Sequence, residues 1–121
     1  MRLIVRHIVN YPDDIDFLSF FESEPSYISS DLQCMAYTVS NHGTTIEFSY
    51  NVTEGWVQVK LLADEHVIIQ YLTEGVTDIV LRKDRSGEYI FTEVISHVID
   101  TKIEIMWKPL ISIKVNSLIK S

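Results

Sequence analysis

The chain holds one cysteine, three prolines and four glycines in 121 residues, and cations are scarce in its first two-thirds. Each scarcity excludes something. A lone Cys34 cannot close an intramolecular disulfide, which fits a reducing compartment and favours the cytoplasm. Arg2, Arg6 and His7 interrupt the N-terminal apolar run before a signal-peptide core could form, so export by that route is not expected. Crossing a bilayer takes ~20 consecutive apolar residues, and here charged or polar groups recur every few positions, so no membrane span is expected. The glycines Gly43, Gly55, Gly75 and Gly87 stand twelve or more positions apart, which leaves no glycine-rich loop to cradle a phosphate.

The shortage of cations is local. Residues 1–78 carry twelve acids against Arg2, Arg6 and Lys60, a net of −9, whereas residues 79–121 carry seven bases against five acids, a net of +2. Direct nucleic-acid binding depends on Lys and Arg replacing counterions along the phosphates. The acidic balance therefore points away from nucleic acid and toward a basic partner, or toward solubility alone.

What the sequence does have is β pattern. From Thr44 to Val115, short runs of β-branched and aromatic residues alternate with turn residues about every ten positions, as in an antiparallel meander. Ahead of it, Arg2–Val9 reads as a strand buried on both faces. Asp13 or Asp14 then caps a helix that runs to about Glu22 and is ended by Pro25, with Phe17, Leu18, Phe20 and Phe21 as its packing face. Ser23–Asp31 reads as a surface loop. Ile46, Phe48 and Tyr50 alternate inward, as do Val57, Val59 and Leu61, with Trp56 outward. Val67–Leu72, apolar on both faces, reads as a central strand covered on its second side. Glu88–Ile99 fits helical spacing as well as a strand, but eight of its twelve residues are β-branched or aromatic, which favours the strand. The expectation is one mainly β (α+β) domain over 1–121: an antiparallel meander of seven to eight strands, strongly twisted or curled into a half-barrel, with one N-terminal helix packed on it.

No catalytic constellation emerges. His7, His42, His66 and His97 lie far apart and none belongs to a short metal-ligand spacing. Cys34, beside Met35 in a strand, reads as a small core residue rather than a nucleophile. Asp64-Glu65-His66 reads as a solvated turn, and Asp84-Arg85-Ser86-Gly87 lacks the alternating carboxylates of a calcium loop. Neither enzymatic activity, a metal nor a cofactor is expected. The remaining feature is the series Asp13, Asp14, Asp16, Glu22, Glu24 and Asp31, six acids uninterrupted by a base. Its plain reading is the solvated face of a helix and loop. Its functional reading is a surface that mimics nucleic-acid phosphates and plugs the basic cleft of a nuclease, with Tyr27 and Trp56 as exposed aromatics beside it.

The C-terminal half, from Gly75-Val76-Thr77-Asp78-Ile79 through Ser86-Gly87-Glu88-Tyr89-Ile90-Phe91 to Thr101-Lys102-Ile103-Glu104-Ile105 and Lys108-Pro109-Leu110-Ile111-Ser112-Ile113, resembles bacterial immunity proteins. Those of contact-dependent growth inhibition systems are the group it looks most like. The resemblance implies a small cytoplasmic protein without activity of its own that binds one cognate toxin domain, often a nuclease, and occludes its active site; the six acids, with Glu47 or Glu54, are then expected to meet basic residues of the toxin. The rival from another class is a curled sheet that holds a small apolar ligand among Phe48, Tyr50, Tyr71 and Tyr89. A third reading is a subunit that adds an unpaired sheet edge to an oligomer.

Overall fold

The computed structural model describes residues 7–120, so most of the strand expected over Arg2–Val9 lies outside the described residues. Its described end, His7–Val9, is not a strand. There the Ile8 amide donates to the Val52 carbonyl and the Val9 amide to the Thr77 carbonyl, which brings the Ile8 side chain into the core.

One helix, α1 (Asp14–Phe21), follows, and Asp13 caps it by accepting from the Asp16 amide at 2.8 Å. It stops at Glu22, which takes a left-handed conformation and donates its amide to the Leu18 carbonyl. The helix therefore ends by its own C-cap, three residues before the proline expected to end it. Phe17, Phe20 and Phe21 are buried, whereas Leu18, expected on the packing face, is 41% exposed.

Among the described residues nine strands follow in chain order, one or two more than the pattern suggested: β1 (Tyr27–Ile28), β2 (Cys34–Asn41), β3 (Thr44–Asn51), β4 (Trp56–Ala63), β5 (His66–Glu74), β6 (Ile79–Asp84), β7 (Gly87–Ile95), β8 (Ile99–Met106) and β9 (Ser112–Ile119). The extra one, β1, is a two-residue strand inside the segment expected to be loop, paired with Ala36 and Met35. Strands pair with their chain neighbours throughout, but in two sheets, β1-β2-β3-β4-β5 and β6-β7-β8-β9. The meander is thus mainly β and antiparallel with its helix in place, and its curl is resolved as a break between β5 and β6 at Gly75–Asp78.

Local chemistry sets the registers. His42 and Gly43 both have positive φ, as a two-residue hairpin requires, and this turn aligns Asn41 with Thr44 and every later pair of β2 and β3. Glu88–Ile99 is a strand only to Ile95. Ser96 then turns the chain by accepting the Val98 and Ile99 amides on its hydroxyl, and β8 starts at Ile99.

The core lies between helix and sheets. Phe17 and Phe21 stack on the inner face of the first sheet, with Phe21 to Tyr37 at 4.7 Å and Phe17 to Tyr37 and Tyr50 at 5.1 and 5.4 Å between ring centroids. Ile79, Ile90, Ile103 and Ile105 complete it from the second sheet. Polar clasps join the layers: the Trp107 indole donates to the Phe20 carbonyl at 2.7 Å, and the Asn41 amide donates to the carbonyls of Trp107 and Pro109. Phe48 and Tyr50, two of the residues that would line a concave ligand site, are filled over by Phe17.

Val67–Leu72 corrects the expectation of a covered central strand. Among the described residues β5 pairs with β4 alone and is the edge of its sheet, with Val67, Ile68, Ile69 and Leu72 each 47–58% exposed.

Burial of the two tyrosines has a consequence at high pH. Burial first, then the charges of Asp14 and Glu24, push the Tyr37 phenol from 10.0 up to about 12, and burial pushes Tyr50 up as well. The folded state holds both neutral where the unfolded chain would ionise them. Their contribution to stability is therefore complete below pH 10.0 and is lost as pH rises toward 12. Denaturant midpoints should fall across that window, and the fall should flatten in Tyr37→Phe/Tyr50→Phe. An equally steep decline in the double variant would assign alkaline unfolding to other groups.

Candidate functional site

The ten residues expected to meet a partner fall into separate places. Asp13, Asp14 and Asp16 surround the N-terminus of α1, where the helix dipole favours carboxylates and Asp13 has a capping role besides. Asp31 sits in the β1–β2 turn and accepts from the Ser29 hydroxyl at 2.6 Å and the Gln33 amide at 3.1 Å. The Ser29 bond chiefly, then that of Gln33, holds its carboxyl below the usual aspartate value and keeps it charged. Glu54 projects from the β3–β4 turn and accepts from the Trp56 indole at 2.9 Å. Trp56 is on the outer face, as its alternation with buried Val57 requires, but it is half-buried.

Strand register brings several of these together. Cys34 lies opposite Asn51, Asn51 opposite Trp56, and Trp56 opposite Glu74, so four strand ends form one row with the Asp31 and Glu54 turns beside it. Cys34 senses both turns: burial, then the charges of Asp31 and Glu54, push its thiol up, which makes it less nucleophilic. Asp14 reaches the same end of the sheet from the inner side, where its charge acts on Tyr50 and, with Glu24, on Tyr37. The result is an acidic rim of Asp14, Asp31, Glu54 and Glu74. Glu74 was missed in the sequence because only the β4–β5 register reveals its neighbours.

Glu22 and Glu47 lie elsewhere and are already neutralised. Glu22 pairs with Lys108, whose ammonium also lies 5.1 Å from the Trp107 ring centre, at the end of α1 away from Asp14. Glu47 lies on the outer sheet face, 3.8 Å from Lys60. Tyr27 is on the opposite edge, in β1, and is 55% exposed. Among the described residues, Asp13, Asp14, Asp16, Glu24, Asp31 and Glu54 take part in no ion pair. Nor, among them, do three or more His, Cys, Asp or Glu side chains converge as a metal site would.

No family model matches the chain, and no curated protein does. A solved structure does: a chain of the contact-dependent growth inhibition toxin and immunity protein complex from Klebsiella pneumoniae 342 superposes with a TM-score of 0.90 at 39% sequence identity, covering 93% of this chain and 99% of that one. Likeness of that degree over nearly the whole length, joined to the resemblance carried by the C-terminal half, shows that the chain belongs to the immunity proteins of contact-dependent growth inhibition.

Proposed function

We propose that this chain binds a cognate toxin domain in the cytoplasm and neutralises it by covering its active site with the acidic rim, and that the toxin is a nuclease. The observation that carries this reading is the difference between paired and unpaired carboxylates. Glu22 and Glu47 are matched by lysines of the chain itself, whereas Asp14, Asp31 and Glu54, at one end of the sheet, meet no cation among the described residues. A nuclease must present cations to the phosphates of its substrate. A rim of fixed carboxylates can occupy that cleft, speed the encounter by steering and exclude substrate without any chemistry of its own.

The toxin component of the Klebsiella pneumoniae 342 complex supports the choice of partner class. The test is inhibition at defined stoichiometry. One equivalent of the purified chain should abolish cleavage of nucleic acid by its cognate toxin domain, and cells that express the chain should survive that domain. Undiminished cleavage at an excess of the chain would overturn the reading.

A further inference from the structure

The four edges of the two sheets are not equally protected. β1 has two residues, β6 ends in Arg82, Lys83 and Asp84, and β9 carries Lys114 and is tied at its end by Lys120 to Asp100 at 3.0 Å. These are the usual means by which an edge is kept from pairing with other chains: shortness, charge and covering contacts. β5 has none of them between Val67 and Thr73, a stretch without charge or proline. The register slip beside Leu61 and Leu62 leaves Ile68 as an extra residue near the start of β5. Beyond it, Ile69–Glu74 runs in regular register, six residues long, about the length of an ordinary strand.

We infer that the Ile69–Glu74 edge of β5 receives a β-strand of the basic toxin, which adds to the sheet by main-chain hydrogen bonds. The inference rests on the toxin-binding reading above and names a second part of that interface. Charge selects the occupant. Asp64 and Glu65 precede β5 and Glu74 closes it beside Trp56 and Glu54, so the apolar edge is bracketed by acids. A second copy, itself of net charge −7, would bring further acids against these. A strand with an apolar middle and basic flanks would instead satisfy the ladder, cover Ile69 and Leu72, and meet the carboxylates at both ends. Because Glu74 belongs to both, the edge is continuous with the acidic rim.

Amide hydrogen exchange, measured on the chain alone and with its cognate toxin domain, decides the matter. Strand addition should slow the outward-pointing amides of Ile69–Glu74, every second residue, by on the order of tenfold or more. A complex that forms while these amides exchange as before overturns the edge inference and leaves the toxin reading standing. Absence of a complex removes that reading and this inference with it. Protection that appears without toxin and grows with the concentration of the chain assigns the edge to a second copy and overturns the toxin strand as its occupant.

Discussion

Removing the charge of the acidic rim should weaken the complex with toxin by on the order of 100-fold or more, chiefly through slower association. The informative variant combines Asp14→Lys and Glu74→Lys with Asp31→Asn and with Glu54→Gln, whose amide oxygen keeps an acceptor for the Trp56 indole. Asparagine is chosen at position 31 because the Asp31 side chain accepts the Ser29 hydroxyl and the Gln33 amide, and an amide oxygen retains an acceptor for that turn. Asp13 is left in place because it caps α1. All four replaced side chains are exposed, so thermal stability should change little and any loss of affinity belongs to the interface. The salt dependence of binding should flatten along with it. Neutralising Glu22 and Glu47 instead should matter much less, since Lys108 and Lys60 already offset them. Equal affinity and an unchanged salt slope in the rim variant would place the interface elsewhere.

Phe17→Ala should cost about 3–5 kcal/mol of folding free energy, a large share of the roughly 5–15 kcal/mol typical of a domain. Phe17 is fully buried and its ring lies within 5.1–6.2 Å, centroid to centroid, of Tyr37, Tyr50, Phe48 and Phe21. Truncation loses the buried ring and leaves a cavity that rigid strands on one side cannot fill. It also loosens the helix that presents Asp14 to the rim, so toxin affinity should fall with stability. Leu18→Ala, one position along the helix and 41% exposed, is the control and should cost under about 1 kcal/mol. Equilibrium denaturation of the two variants measures both. Similar small losses would mean that α1 is not anchored through Phe17.

Much of the fold was legible because its signals are local. Asn41-His42-Gly43 specifies its hairpin by the left-handed conformations it can adopt, and the alternation of Ile46, Phe48 and Tyr50 states which face is inward. The Asp13 cap is likewise a matter of neighbouring residues. What was not legible depends on partners far away in sequence or on covering elements. Val67–Leu72 is apolar on both faces, and that pattern is the same for a strand buried at the centre of a sheet and for an edge awaiting a partner. The turn at Ser96 carries neither glycine, proline nor asparagine and is made by one hydroxyl that accepts two amides, so the sequence pattern runs the strand on to Ile99, past the end of β7 at Ile95.

The proposed rim differs from the acidic run read in the sequence. A run of acids without bases pointed to the N-terminal segment, but Glu22 loses its free charge to a lysine 86 positions away and Glu47 to the strand beside it. Glu74 gains its place from the pairing of β4 with β5. Linear charge density marks an acidic region, and only ion pairs and registers separate carboxylates matched by lysines of the chain from those proposed to meet the toxin.

The most direct measurement of the proposed function is cleavage of nucleic acid by the cognate toxin domain, titrated with the purified chain and followed alongside complex formation. Occlusion by the rim requires activity to fall in proportion to complex and to reach baseline at one equivalent. A saturated complex that still cleaves nucleic acid would contradict it.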